Sequence, residues 1–226
     1  MELFLKIICV FLTIGQTPND ILWKETFDYP DGELPEIYWS EGCKATIKEG
    51  RLVVDADTIG HRCSTIWLDK EFSGNISVEF DAYIISSKDF ANNINFFFMY
   101  SDPSGQHLRQ SAPKRKTADY GFYHDLNGYI FTNVSNDGSK LNARYRMRSN
   151  PGFKLVKEVN IGKSKIGETI HIKITKKNNR IQYWADNQKI LDVTADKTAP
   201  VHERGLMGFR IWHTSVWLDN LIVKRM

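Results

Sequence analysis

Hydrophobic and polar residues alternate with a period of two along most of the chain, which is typical of strands in a sheet with one buried face. Arg144, Arg146 and Arg148 share one face of such a strand, whereas Tyr145 and Met147 point to the other. One face of this strand therefore suits a hydrophobic core. The other carries a row of cations that calls for an anionic partner.

Turn residues divide the alternating segments into hairpins. A long alternating strand begins at Ile76, and no amphipathic helix separates the strands. Short strands with regular turns and almost no helix predict an all-β protein, a β-sandwich or jelly roll of two antiparallel sheets. The predicted turns are Glu49-Gly50, Gly74-Asn75, Asn136-Asp137-Gly138, Asn178-Asn179 and Asp186-Asn187-Gln188.

One long segment, residues 102–127, lacks the strand pattern and contains two prolines, two histidines and a basic cluster at Lys114, Arg115 and Lys116. Loops of this length usually form functional lids or solvated insertions. The aromatic residues in its second half favour a partly ordered lid that packs on the sandwich. A solvated insertion is the alternative.

Composition and charge bound the function. The 226 residues are 42% hydrophobic, and the net charge of +3 with a pI near 8.6 is too mild to indicate nucleic-acid binding. Lys6 and the apolar run from Ile7 to Ile14 resemble a signal peptide covering residues 1–15, with cleavage near Gly15. We therefore expect one domain, residues 16–226, in a periplasmic or secreted protein with no membrane association after cleavage.

Two cysteines, Cys43 and Cys63, remain after cleavage. An oxidising compartment permits a disulfide between them without requiring one. A bridge and two free thiols both stay open.

Four segments together resemble the YesU-like family of uncharacterised bacterial proteins. The resemblance covers nearly all of the chain after the signal peptide. It implies a concanavalin A-like sandwich and an association with polysaccharide degradation, but it defines no chemistry. The segments are NNINFFFMYSDPSG from Asn92, YHDLNGYIFTNVSN from Tyr123, ARYRMRSNPGFKLVKE from Ala143 and GLMGFRIWHTSVWLDNLIVKR from Gly205.

The polar faces of three strands carry residue types that bind acidic sugars. Arginine holds a carboxylate through two parallel hydrogen bonds, and an aromatic ring covers the apolar face of a pyranose. Asparagine amides can bond sugar hydroxyls or a carboxylate. The predicted substrate-binding residues are Asn93, Asn95, Arg144, Arg146, Arg148, Arg210 and Trp212.

Each of these residues also has a structural explanation. Trp212 can cap an edge of the core, and arginines on an exposed strand face often pair with acids on a neighbouring strand. The hairpin partner of the arginine strand, residues 129–134, contains no carboxylate. Uncompensated charge therefore favours a ligand.

Two other chemistries have weaker support. Glu79 and Asp81 share a strand face as a glycosidase pair would, but Ile84 stands where laminarinase-like enzymes of this fold carry a further acid. Asp55 and Asp57 imitate the start of a calcium loop without its later ligands. We predict no cofactor and no metal site, although a structural calcium ion elsewhere is left open.

β-Elimination from a uronic acid needs cations or amides on the sugar carboxylate, together with a base and an acid. Arginines and Asn95 could supply the first, and His124, Tyr123 and Tyr129 are the predicted catalytic residues. The sequence thus predicts an exported protein that binds an acidic, uronate-containing poly- or oligosaccharide. A polysaccharide lyase is narrowly preferred to a lectin-like binding module, and a glycoside hydrolase comes third.

Overall fold

The computed structural model describes residues 20–58, 63–87, 91, 93–134, 144–161, 165–196 and 199–226. The expected signal peptide, the turn at residues 136–138 and Asn92, the first residue of one segment that resembles the YesU-like family, lie outside these ranges. No helix within the described ranges is long and apolar enough to cross a membrane. The strands are β1 (Ile21–Glu25), β2 (Tyr38–Gly42), β3 (Ala45–Lys48), β4 (Arg51–Asp55), β5 (Cys63–Ser73), β6 (Ile76–Ser86), β7 (Asn93–Ser101), β8 (Asn127–Val134), β9 (Arg144–Asn150), β10 (Lys154–Val159), β11 (Thr169–Lys177), β12 (Arg180–Ala185), β13 (Gln188–Thr194), β14 (Arg204–Trp212) and β15 (Ser215–Arg225).

The strands form two antiparallel sheets. Sheet A has the order β13-β12-β11-β6-β15-β4-β3, and β1 pairs with the second half of β15. Sheet B has the order β10-β9-β8-β7-β14-β5-β2. Two packed antiparallel sheets confirm the predicted all-β sandwich, and the predicted hairpins β3–β4 and β11–β12 form in register.

The inner faces of the two sheets bury one continuous apolar core. Phe80 of sheet A meets Phe96 and Phe209 of sheet B with ring centroids 5.0 and 4.9 Å apart. Tyr145 and Met147 of the arginine strand are fully buried in this core. The alternation in β9 therefore assigns its arginines to the outer face of sheet B, as predicted.

A second, smaller apolar cluster lies on the outer face of sheet B. The segment between β7 and β8 folds over this face through a helix α1 (Leu108–Ser111) and two short 3₁₀ turns, Ala112–Arg115 and Tyr120–Tyr123. We call residues 102–126 the cover segment. Its side chains Leu108, Tyr123 and Leu126 pack on the sheet residues Trp67, Phe97, Tyr100, Ile130 and Leu206.

A buried ion pair anchors the cover segment to the sheet. The Arg115 guanidinium donates to the carboxylate of Glu41 on β2, with its Nη2 2.8 Å from Oε1, and Tyr123 donates to the same carboxylate at 2.7 Å. Gly42 completes the contact, because a Cβ there would lie 2.2 Å from the Cys63 carbonyl oxygen and 2.8 Å from Ala118 Cβ. The prediction of a packed segment is confirmed, and the solvated insertion is wrong.

Both described cysteines are free thiols. Cys43 is buried in the core between the sheets, whereas the Cys63 sulfur accepts a hydrogen bond from Arg210 at 3.6 Å. Burial raises the pKa of both thiols. The structure thus contains two thiols rather than the disulfide.

Candidate functional site

A polar row crosses the outer face of sheet B at right angles to the strands. Arg146 of β9 lies opposite Thr132 of β8, Thr132 opposite Asn95 of β7, and Asn95 opposite Arg210 of β14. Directly opposed residues share a face in an antiparallel sheet. Four strands therefore bring two arginines, a hydroxyl and an amide into one line beside the cover segment.

Four arginines, Arg144, Arg146, Arg148 and Arg210, concentrate positive charge around this row. Each has an Nε atom that is shielded from solvent and has no hydrogen-bond partner among the described residues. Burial, with the charges of Arg144 and Arg148, lowers the pKa of Arg146. We refer to these four side chains as the arginine cluster.

One carboxylate offsets part of this charge. Glu158 on β10 lies 3.8 Å from Arg144 and 4.0 Å from Arg146, longer than a hydrogen bond. The sequence argument considered only the partner strand β8 and missed Glu158 on the other side. Cross-strand pairing is thus real but partial. Within the described ranges, Glu158 is the carboxylate that comes within 4 Å of the cluster.

Tyr120, in the second 3₁₀ turn, stands over the row, and sequence reasoning missed it. The Arg210 guanidinium lies 4.1 Å from the centre of its ring. Burial raises the pKa of its hydroxyl, while Arg210, Arg146 and a nearby Thr132 hydroxyl oppose that shift. This hydroxyl is shielded from solvent, and no described residue offers it a hydrogen bond of ordinary geometry. Tyr120 therefore presents an unsatisfied O–H beside three cationic or polar side chains.

His124 and Arg148 meet at one end of the site through Phe153. The His124 and Phe153 rings stack with centroids 3.9 Å apart, and the Arg148 guanidinium lies 4.0 Å from the Phe153 ring and donates to its carbonyl at 2.8 Å. The His124 ring is also 5.3 Å from the Tyr120 ring. Burial and the nearby Arg148 and Arg210 lower the pKa of His124, so its imidazole is mostly neutral at pH 7.

Asn93 and Asn95 lie on the predicted face but beneath the accessible surface, 6% and 2% exposed. The Asn95 amide donates to Asn93 and to the Arg210 carbonyl, and its oxygen accepts from Thr132. These bonds occupy the polar atoms of Asn95. In this structure the two asparagines are thus buried and hydrogen-bonded within the row, whereas the sequence predicts that they contact a ligand.

Trp212 extends the site beyond Arg210 on the same face of β14. It is 39% exposed, and one face of its ring stacks on His213 with centroids 3.9 Å apart. An exposed aromatic plate beside an arginine is the arrangement expected for a sugar ring. The alternative, a cap on the core edge, does not fit this exposure.

Tyr123 and Tyr129 do not fit the predicted role in proton transfer. Tyr123 belongs to the cover segment, packs against the sheet and donates to Glu41, and burial and Glu41 raise its pKa far above the usual value. Tyr129 faces the core and donates to the Pro200 carbonyl at 2.7 Å. Both hydroxyls are thus engaged with acceptors outside the arginine cluster.

The acids considered for hydrolysis lie on the other sheet. Glu79 accepts from Lys224 at 2.9 Å and faces Lys173 at 3.4 Å, and these lysines lower its pKa against the effect of burial. Asp81 contacts His171 at 2.7 Å. Glu79 is thus held by cross-strand ion pairs and Asp81 by a cross-strand contact with His171, both on sheet A and away from the arginine cluster.

The calcium-like sequence forms an ordinary turn. The Asp55 carboxylate accepts from the backbone of Asp57 and Thr58 at 3.1 and 3.0 Å. The described residues contain no group of three or more His, Cys, Asp or Glu side chains arranged to hold a metal ion.

Comparison with known proteins gives a family and a fold. The model of the family described as Domain of unknown function (DUF6250) matches residues 60–221. No curated protein matches the chain. A Bacillus subtilis protein of unknown function with a galectin-like fold is 16% identical, with a TM-score of 0.75 over 91% of this chain and 96% of that one.

Two further solved structures share the architecture. The carbohydrate-binding module CBM66 from Bacillus subtilis is 14% identical, with a TM-score of 0.59 over 83% of this chain and 95% of that one. The carbohydrate recognition domain of Emp47p is 14% identical, with a TM-score of 0.66 over 93% and 99%. At these identities the likeness establishes the sandwich fold, whereas the site has to be argued from its own residues.

Proposed function

The chain belongs to the DUF6250 family, a domain family of unknown function, and we propose from the geometry of its arginine cluster that it binds an anionic glycan bearing carboxylates. The observation that carries this proposal is the set of four shielded Nε atoms that have no hydrogen-bond partner among the described residues. The charges of three of these arginines, Arg146, Arg148 and Arg210, act on the unsatisfied hydroxyl of Tyr120.

Electrostatics favours a carboxylate as the ligand. Burial and mutual repulsion already disfavour the charged form of Arg146, and Glu158 is too distant to satisfy it through hydrogen bonds. A planar carboxylate would offer oxygens at the spacing of a guanidinium fork. Binding would relieve repulsion that the protein alone leaves in place.

A sugar fits the surroundings of that carboxylate. Trp212 offers an exposed ring face next to Arg210, suited to the apolar C–H face of a pyranose. The carbohydrate-binding module CBM66 and the carbohydrate recognition domain of Emp47p share this fold. Export to the periplasm or the medium and kinship with the YesU-like family are consistent with this proposal and remain predictions.

Calorimetry with trigalacturonate tests the proposal. Arg146→Ala should weaken binding by about 1.5 to 3 kcal/mol, as for a charge-assisted hydrogen bond, or roughly 10- to 150-fold. Arg146→Lys should lose nearly as much, because it keeps the charge but loses the planar fork. Wild-type affinity should fall as salt rises.

Arg180→Ala is the matched control. Arg180 is an exposed arginine on sheet A, paired with Asp192 at 2.6 Å, so its loss should leave trigalacturonate affinity unchanged. If Arg146→Ala binds both trigalacturonate and a sulfated oligosaccharide as tightly as the wild-type protein does, the proposal is refuted.

A second candidate function, β-elimination, rests on the placement of Tyr120 and His124. A base would take the proton next to the sugar carboxylate, the C–O bond to the departing sugar would break, and its oxygen would take up a proton. His124 is suited to accept the first proton because its pKa is lowered. Tyr120 is suited to donate the second, and the arginines would stabilise the enolate-like charge.

Tyr120→Phe separates elimination from binding. The variant keeps the aromatic ring that contacts Arg210 and loses only the hydroxyl, so trigalacturonate affinity should change by less than about threefold. The rate of ultraviolet absorbance increase with uronate polysaccharides should fall by roughly 100-fold or more. An absence of absorbance change with the wild-type protein across alginate, pectate and glycosaminoglycans would leave binding as the function and exclude elimination on these substrates.

A further inference from the structure

The outer face of sheet A, opposite the arginine cluster, contains a depression of about 220 Å³ at the end of β11 and β12. This volume lies below the roughly 300–1,000 Å³ typical of pockets for drug-sized ligands and suits a single small ring. The depression is lined by His171, Lys173, Thr175, Gln182, Trp184 and Asn187.

Trp184 provides an aromatic wall for this depression. It lies opposite Lys173 in the strand register, and its partner on the other side is Lys189, whose Nζ is 5.8 Å from the ring. Its surroundings differ from those of Trp217 on the same sheet, which has Tyr83 stacked on it at 5.1 Å and Arg51 over it at 4.6 Å. Protein groups cover Trp217, whereas Trp184 borders open space.

The charges around the depression are compensated. Lys173 faces Glu79 at 3.4 Å and Lys189 faces Asp192 at 2.9 Å. His171 contacts Asp81 through Nδ1 at 2.7 Å. The charges of the arginine cluster are not compensated in this way. At sheet A, where they are, a carboxylate on a ligand would add no favourable charge interaction.

We propose that this depression is a second glycan subsite, which takes one neutral pyranose ring against Trp184. Amides and hydroxyls of Gln182, Asn187 and Thr175 line the same space and are suited to hydrogen bonds with sugar hydroxyls. The ring of Trp184 covers the apolar face of the sugar. The site is independent of the carboxylate site proposed for sheet B.

Two subsites on opposite sheets would make the protein bivalent. One molecule could hold an acidic segment at sheet B and a neutral segment, or a second chain, at sheet A. Such linkage raises the overall affinity for a polysaccharide without new contacts.

Calorimetry and tryptophan fluorescence with maltotriose, cellotriose and mannotriose test the inference on the full chain. The wild-type protein should bind at least one of these neutral trisaccharides, with affinity indifferent to salt. Trp184→Ala should weaken that binding at least about tenfold. Asn187→Gly is the second variant, because Asn187 has a left-handed φ of 63° that glycine also adopts; it should weaken binding without disturbing the turn.

Trp217→Ala and Arg146→Ala serve as controls and should keep wild-type affinity for the trisaccharide. If none of the three trisaccharides binds, or if Trp184→Ala binds as tightly as wild type, the second subsite is refuted. Trigalacturonate binding by Trp184→Ala, measured in parallel, distinguishes this failure from failure of the carboxylate site.

Discussion

Replacing Arg115 by methionine removes the cation from an ion pair whose side chains are only 4% and 2% exposed. The Nε of Arg115 lies 3.1 and 3.2 Å from the two Glu41 oxygens, and its Nη2 lies 2.8 Å from one of them. Loss of one partner leaves the other buried and uncompensated, which typically costs about 3 to 5 kcal/mol. Glu41 keeps donors from Tyr123 at 2.7 Å and Trp39 at 3.4 Å, so we expect the lower end, about 3 kcal/mol.

Urea denaturation followed by near-ultraviolet circular dichroism measures this loss, and for a domain of this size it corresponds to a melting temperature lower by roughly 6 to 12 °C. Hydrogen exchange should accelerate first in residues 108–126. Because Tyr120 is held by the same segment, trigalacturonate affinity should fall as well. A Glu41→Leu/Arg115→Met double variant should lose clearly less than the sum of the single variants, since the two side chains interact directly.

Arg109→Met, in the neighbouring helix α1 of the same cover segment, is the matched control. Arg109 pairs with Asp69 at 2.7 Å but is 42% exposed, and exposed pairs contribute about 0 to 1 kcal/mol. The anchoring role of Arg115 is refuted if Arg115→Met is no less stable than Arg109→Met, or if exchange in residues 108–126 is unchanged.

Two further predictions concern stability. Burial lowers the pKa of His202 to about 4. Between about pH 6.5 and 4 the unfolded chain therefore binds a proton at His202 that the folded chain does not bind. The free energy of unfolding should fall over this range as the pH drops, by up to roughly 3 kcal/mol. His202→Phe should therefore lose less stability than wild type between pH 7 and 4.5 in urea titrations, and equal losses would contradict the assignment. In Gly208→Ala, the new Cβ would lie 2.7 Å from Trp67 Cε3 and 3.0 Å from the Ile66 carbonyl oxygen, so we expect a loss of about 1 to 3 kcal/mol by thermal denaturation; a melting temperature equal to wild type would show that the sheet adjusts freely.

The period-two pattern was sufficient to predict the sandwich and the face of the arginines, because strand alternation is a local property of the chain. It placed Arg146 and Arg210 on polar faces, and the structure brings them into one row. The same pattern could not give the depth of Asn95, whose amide is consumed by neighbours on β7, β8 and β14. The alternation assigns each side chain to one face of the sheet. How deeply that side chain is buried depends on which other segments cover the face.

The cover segment shows where sequence reasoning ends. Tyr120, Tyr123 and His124 lie within five residues of one another, and no periodicity in a 3₁₀ turn indicates which side chain points to the sheet. The Tyr123 hydroxyl donates to Glu41, 82 residues earlier in the sequence, and nothing in the sequence indicates this contact. The partner of Arg115 is likewise Glu41, 74 residues away. Such long-range pairings are set by the tertiary fold and leave no local signal.

The polar row of sheet B is assembled from β7, β8 and β9, which follow one another in the sequence, and from β14, which comes after four further strands and pairs with β7 only when the sheet is complete. A partly folded chain that lacks any one of these strands cannot present the row, so the row is a property of the native state alone. A ligand that binds the row binds only the native protein and therefore stabilises it against unfolding. At a free concentration of 100 times its dissociation constant, the ligand would raise the free energy of unfolding by about 2.7 kcal/mol. If the proposed anionic glycan binds there, it should therefore raise the free energy of unfolding of the whole domain in proportion to the logarithm of its concentration.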